Sequence, residues 1–194
     1  MSSIASTKTA LRQDLRAARR QLPDAARAEA TQQLALHITR LPGWQSFQGI
    51  ALYLATDGEI DTSAISELVL AAGKRLYLPV VAEGGTLEFA RWGGTTKGTQ
   101  LNRYGIREPD THSPRIATEA LDCICLPLVG WSTDGSRLGM GGGYYDRTLA
   151  NATGPIKTGL GFELQRQETL PRESWDVRLD FVATETNLYS CKEQ

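Results

Sequence analysis

Leu11, Leu15, Ala18 and Leu22 recur at helical spacing, with Lys8, Arg12, Arg16 and Arg19 as a stripe opposite them. The pattern predicts an amphipathic helix with one basic face. Pro23 ends it and suits the first turn of the next helix, where a missing N–H costs nothing. Ala26, Ala30, Leu34 and Leu41 carry that second helix to about Pro42-Gly43. At Gly49 the rhythm changes, and the unbroken run Ile50-Ala51-Leu52-Tyr53-Leu54 predicts a buried strand. Asp61 or Thr62 can cap a helix through Leu70, with Gly73 just past its end. Arg75 to Val81 is then a second strand. Strand, helix and strand in this space make a βαβ unit, which implies a parallel pair with a right-handed crossover.

Leu87 to Trp92 predicts a further strand, and the stretch 93–120 is loop-rich. Leu121 to Val129 is the most apolar strand candidate. A helix from about Gly143 to Leu149 follows, and Thr158 to Phe162 and Phe181 to Thr184 can supply the last strands. No linker, repeat or low-complexity tract divides the chain. A single α/β domain over 1–194 in three layers is expected, with about the first six residues outside its ordered part.

Composition narrows the function. With 21 basic and 22 acidic residues among 194, net charge −1, the chain lacks the positive surface that nucleic-acid phosphates demand. The one local excess is Lys8, Arg12, Arg16, Arg19 and Arg20. The three cysteines have no framework spacing; Cys123 and Cys125 share one face of an apolar run and read as small buried hydrophobes. His37 and His112 are isolated and give no zinc pattern. The N-terminus lacks the apolar stretch of a secretory signal, and no run reaches membrane-spanning length. A reduced, cytoplasmic protein is expected, a monomer with neither nucleic acid nor membrane as partner.

The chemistry concentrates in Asp134 to Arg147. Glycines 139 and 141–143 let backbone N–H groups approach an anion, and a helix beginning immediately afterwards adds unpaired donors. Arg137 can hold phosphate oxygens with two parallel bonds, and Asp146 can hold Mg²⁺ against them. Neither common nucleotide motif fits: five residues after Gly139 stands Tyr144, so both the second glycine of the Walker pattern and the third glycine of G-x-G-x-x-G are missing.

Arg137-Leu-Gly-Met-Gly-Gly-Gly-Tyr-Tyr-Asp-Arg147 closely resembles the signature of the 5-formyltetrahydrofolate cyclo-ligase family, also called methenyltetrahydrofolate synthetase. Lys8-Thr-Ala-Leu-Arg12 is similar to its N-terminal element and Asp57-Gly-Glu-Ile-Asp61 to its substrate segment. Tyr77-Leu-Pro79, Tyr104-Gly-Ile-Arg-Glu-Pro109 and Leu170-Pro171 with Trp175-Asp176 follow in family order. The resemblance implies a Rossmann-like α/β/α sandwich with a mainly parallel sheet and the N-terminal helices packed on it. It also implies closure of 5-formyltetrahydrofolate to 5,10-methenyltetrahydrofolate, with ATP going to ADP and phosphate and Mg²⁺ required.

Carried over residue by residue, the resemblance puts ATP at Lys8, Arg12, Arg137, Leu138, Gly139, Met140, Gly141, Gly142, Gly143, Tyr144 and Tyr145. It puts the folate at Leu54, Glu59 and Tyr104 and at the shared residues Met140 to Tyr144, with Arg137 and Tyr144 as the catalytic pair. Asp146 and Asp176 match the Mg²⁺ positions. One departure matters: many members carry Lys where this chain has Gly142, so another cation must neutralise the transferred phosphoryl, Arg137 first and Lys8 second. That glycine alone favours the alternative of a non-catalytic folate- or nucleotide-binding protein. Arg137, Asp146 and Glu59 argue against it.

Overall fold

The computed structural model describes residues 4–191. Helix α1 (Ile4–Arg20) begins inside the first six residues, and α2 (Asp24–Ile38) follows Pro23, which has extended backbone at the N-cap. The second helix stops four residues short of Pro42; Leu41, Trp44 and Phe47 continue the burial through turns instead.

The βαβ unit forms as expected: β1 (Gly49–Ala51), α3 (Ser63–Ala71) and β2 (Arg75–Val81), with β1 and β2 parallel and Ala51 opposite Tyr77. Thr62 stands at the N-cap of α3, but its side chain caps none of the helix N–H groups, and Asp61 before it takes that part. Asp61 Oδ1 accepts from the Ser63 N–H at 2.9 Å, and the Thr62 hydroxyl donates to the Tyr53 carbonyl at 2.6 Å. Gly73, at φ +69°, ends the helix in the left-handed backbone that favours glycine, donating to the Leu70 carbonyl.

The remaining strands are β3 (Leu87–Arg91), β4 (Thr99–Leu101), β5 (Arg107–Pro109), β6 (Arg115–Ile116), β7 (Cys123–Pro127), β8 (Gly130–Trp131) and β9 (Arg137–Leu138). After the short α4 (Tyr144–Leu149) come β10 (Ile156–Leu160), β11 (Phe181–Ala183) and β12 (Leu188–Ser190). The main sheet has the order β12-β11-β10-β7-β1-β2-β3-β6. Its five central strands are parallel, and antiparallel strands finish both edges. The loop expected over 93–120 contains the β4–β5 hairpin and β6.

Alternation along the strands sorts two apolar layers. Ile50, Leu76, Leu78, Cys123 and Cys125 face α2 and α3, packing with Leu34, Ile38, Ile65 and Val69. Ala51, Tyr77, Ile124, Leu126 and Val182 face the other way, against Leu149, Ala152 and Leu179. The molecule is therefore the expected three-layer α/β/α sandwich with a mainly parallel sheet. The two cysteines of β7 and Cys191 are buried and unbridged. Among the described residues no helix is long and apolar enough to cross a membrane.

The basic face of α1 is partly covered, with Lys8 and Arg19 turned inward and Arg20 half-exposed. Leu15 packs with Val129 and Leu138, and Arg19 is fully buried. The helix thus lies across the carboxyl ends of the central strands.

Candidate active site

Carboxyl ends of parallel strands leave backbone groups and loops around a crevice, the usual ligand position in open α/β sheets. Here that crevice is a cleft of about 1340 Å³. The sixteen residues singled out above line it: Lys8 and Arg12 from α1, Leu54 and Glu59 after β1, Tyr104 from the β4–β5 hairpin, 137–146 after β8, and Asp176.

The glycine segment is held open by its own backbone. Gly141 has φ +102° and Gly143 φ +68°, and Gly143 precedes α4 at its N-cap. A Cβ on Gly143 would stand 2.6 Å from an Arg147 nitrogen. Arg147 straps the segment, donating to the Gly142 carbonyl at 2.6 Å and to the Gly85 carbonyl at 2.8 Å. Arg12 fastens it from the other side through the Gly139 carbonyl at 2.8 Å. With only six residues, α4 offers little dipole of its own.

Arg137 differs from the expectation of a free bidentate clamp. Its side chain is 5% exposed, and one terminal nitrogen donates to Asp146 Oδ1 at 2.9 Å. Its Nε is buried with no partner among the described residues, and the guanidinium lies over the Tyr145 ring. β9 pairs with β8, Arg137 opposite Trp131, and the guanidinium lies against the glycine segment, 2.8 Å from where a Cβ on Gly139 would stand. Leu138 turns its side chain into the cluster with Leu15 and Val129. Asp146 also accepts from the Val177 N–H at 3.1 Å. Asp176 is bonded to the Lys8 ammonium and accepts from the Glu173 N–H at 2.8 Å.

Among the described residues no three His, Cys, Asp or Glu side chains gather into a metal cage. Two carboxylates on one cleft, each already near a cation, suit a different arrangement. Mg²⁺ normally keeps several waters and binds through one or two carboxylates plus substrate phosphates. Asp146 and Asp176 fit such a phosphate-borne ion.

On the opposite wall a tight turn presents Glu59. Asp57 (φ 52°) and Gly58 (φ 75°) occupy consecutive left-handed positions, and Glu59 N–H donates to the Thr56 carbonyl at 2.9 Å. Glu59 Oε2 accepts from the Thr56 N–H at 3.0 Å and lies 3.4 Å from its hydroxyl. Burial raises the Glu59 carboxyl above its ordinary value, while the Thr56 bond and the Arg19 charge pull it down. Burial likewise pushes the Tyr53 and Tyr145 phenols well up.

The hairpin tip meets the glycine segment. The Tyr104 and Tyr144 hydroxyls are hydrogen-bonded, and Arg103 donates to the Tyr144 hydroxyl at 2.6 Å. Bonds from Tyr104 and then Arg103 lower the Tyr144 phenol below its usual range. Asn102 shapes this tip by accepting from the Tyr104 and Ile106 N–H groups.

The model of the 5-formyltetrahydrofolate cyclo-ligase family matches residues 4–185. The chain belongs to that family. It is 37% identical over 174 residues to the 5-formyltetrahydrofolate cyclo-ligase of Haemophilus influenzae, covering 87% of this chain and 92% of that protein. Its likeness to the Escherichia coli K12 enzyme of the same name is 36% over 182 residues, 90% and 98% of the two chains. Among solved structures, the NMR structure of Aquifex aeolicus 5,10-methenyltetrahydrofolate synthetase superposes with a TM-score of 0.84 at 32% identity, covering 96% of this chain and 94% of that one. The synthetase from Mycoplasma pneumoniae gives 0.74 at 25% identity, covering 92% and 98%.

Several cleft residues escaped the sequence reading. Arg147 lies inside the signature without a role assigned to it, and Arg103, at the cleft's edge, is marked only by its neighbour Tyr104. Asp57 was read as part of the substrate segment, yet it points to α1 rather than into the cleft. Arg16, Arg19 and Arg20 all bond to its carboxylate. Burial alone would raise its carboxyl, but the bonds from Arg16 and Arg20 and the charges of Arg16 and Arg19 hold it at about 2.

Proposed function

We propose that this chain closes 5-formyltetrahydrofolate to 5,10-methenyltetrahydrofolate, with ATP converted to ADP and phosphate. The observation that carries the reading is one cleft with two dissimilar walls, a glycine segment ringed by cations and a half-buried carboxylate. At about 1340 Å³ it exceeds the roughly 300–1,000 Å³ of a pocket for one small ligand. Family membership supplies the chemistry that two such ligands would share.

In this reading Glu59 accepts the adjacent N–H donors of the reduced pterin, since a carboxylate has lone pairs enough for Thr56 and two further donors. Leu54 and Tyr104 border the folate, and Met140 to Tyr144 lie where its formyl group meets the terminal phosphate. Lys8, Arg12 and the loop N–H groups surround the phosphates. Arg137 contributes its charge beside the glycine segment, and its bond to Asp146 orients that carboxylate. Mg²⁺, held at Asp146 and Asp176, would spread the charge of the transferred group.

The formyl oxygen attacks the terminal phosphorus and ADP departs, because an amide oxygen leaves poorly until it is phosphorylated. N10 then attacks the formyl carbon, the carbon–oxygen bond breaks, and phosphate leaves with that oxygen. The N10 proton must leave as well, and Tyr144, whose hydroxyl is bonded to Arg103 and Tyr104 beside the glycine segment, is assigned to relay it to water. Positioning and charge stabilisation account for the rest of the rate. The same reading has the enzyme act in the cytoplasm as a monomer, without nucleic acid or membrane partners.

Mixing protein, MgATP and 5-formyltetrahydrofolate and following the near-ultraviolet band of the methenyl product tests this. Product should form only with both ATP and a divalent cation. Turnover that persists unchanged after nucleotide removal and chelation contradicts the proposal.

A further inference from the structure

Among the described residues, a cluster of three arginines on one carboxylate lies outside the chemistry just described. Arg16, Arg19 and Arg20 converge on the single carboxylate of Asp57. Arg19 is fully buried, and each of its nitrogens has a defined acceptor. Nε donates to the Asp57 carbonyl at 3.1 Å, one terminal nitrogen to Asp57 Oδ2 at 3.0 Å, and the other to the Leu128 carbonyl at 3.1 Å. From α2, Arg27 donates to the Gly58 carbonyl at 3.0 Å and to the Arg19 carbonyl.

These contacts do more than dock a helix. The turn they grip has two consecutive left-handed residues, Asp57 and Gly58, a pair suited to that backbone, and the arginines fix where the turn sits relative to α1 and β7. The next residue is Glu59, whose carboxylate folds back onto Thr56 across that turn. Leu128, the third acceptor of Arg19, follows β7, so one guanidinium ties the ends of β1 and β7 together. The helix that carries it also carries Lys8 and Arg12 into the cleft's opposite wall.

We propose that Arg19, through Asp57, is a positioning residue that fixes the Glu59 carboxylate relative to Lys8 and Arg12, setting the separation of the two ligands. The proposal rests on the reading of Glu59 as the folate contact. A lysine at 19 keeps the charge but loses the planar fork that reaches three acceptors on two loops. A shift of the turn by a fraction of an ångström then misplaces Glu59 without touching the glycine segment.

The test is a double-mutant cycle on Arg19→Lys and Glu59→Gln, with KM for each substrate, kcat and thermal midpoint measured for every protein. Arg19→Lys should raise KM for 5-formyltetrahydrofolate roughly tenfold and change KM for ATP by no more than about twofold. Glu59→Gln should also raise the folate KM, and the double variant should match Glu59→Gln alone, because Arg19 then has nothing left to position. A merely structural arginine would instead add its effect in the Glu59→Gln background, and additivity overturns the proposal. An unchanged folate KM in a folded Arg19→Lys protein overturns it too. If Glu59→Gln itself leaves the folate KM unchanged, the reading of Glu59 fails and the positioning role falls with it, a pattern distinct from the other two. Should Arg19→Lys not fold, Asp57→Asn takes its place in the same cycle, since Asn tolerates the left-handed backbone and removes the charge.

Discussion

Arg137→Ala separates a structural cation from a ligand-binding one. The substitution removes a guanidinium that is 5% exposed and bonded to Asp146 Oδ1 at 2.9 Å. Taking one partner from a buried ion pair costs about 3–5 kcal/mol when the other is left uncompensated. Asp146, however, is 20% exposed and keeps the Val177 N–H at 3.1 Å, so water and backbone recover part of that loss. The buried, unpartnered Nε also disappears with the side chain, which returns roughly 1 kcal/mol. The expected net destabilisation is about 2–3 kcal/mol, read from urea unfolding of the ligand-free protein. Asp146→Ala should do worse, about 3–5 kcal/mol, because it strands the more deeply buried charge. The double variant should fall well short of the sum of the two. Under the proposed function, turnover of the folded Arg137→Ala protein should still drop on the order of a hundredfold, because that reading places the Arg137 charge beside the transferred phosphoryl. Stability within about 0.5 kcal/mol of the parent would refute the structural part of this reasoning. Near-parental kcat/KM would refute the other part.

Gly143→Ala should destabilise by about 1–2 kcal/mol from left-handed strain and lower kcat/KM further, because its Cβ displaces the Arg147 strap; unchanged kinetics would show the strap to be dispensable. Asp57, held at about 2 against roughly 3.9 when unfolded, stabilises the fold fully above the higher value. That contribution disappears as pH falls towards the lower value. With solvent screening it amounts to about 1–2 kcal/mol, so the stability gap between the parent and Asp57→Asn should narrow by that much between about pH 5 and 2. The Tyr144 phenol should titrate below an ordinary tyrosine, and Arg103→Ala should move it up; a spectrophotometric titration without such a movement would remove Arg103 from the network.

The sequence was most legible where a period or a special residue carries one meaning. The unbroken run at Ile50 and the helix closed by Gly73 marked the βαβ unit, and the glycines before Tyr144 marked the site loop. Strand ends were less legible: Leu52 to Leu54 continue the apolar pattern after β1 ends at Ala51, but Leu52 stays in the core while Tyr53 and Leu54 line the cleft. The two- and three-residue strands at Thr99, Arg107, Gly130 and Arg137 are too short to show any period. The stripe on α1 was legible only as a basic face, not by what each of its cations meets. A row of arginines looks the same in sequence whether it faces water or a buried carboxylate thirty-eight residues away, as Arg19 does. Only the tertiary contact tells them apart. Arg137 posed the same problem, since spacing shows a cation near the loop but not that Asp146 engages it.

The fate of the formyl oxygen tests the central claim most directly. With 5-formyltetrahydrofolate carrying heavy oxygen in its formyl group, turnover with MgATP in ordinary water is followed by mass analysis of the released phosphate. Transfer of the terminal phosphoryl to that oxygen predicts one labelled atom in each phosphate formed, matched one to one with methenyl product. Label found in water, with unlabelled phosphate, would contradict the phosphorylated formyl group and the arrangement of the two ligands built around it.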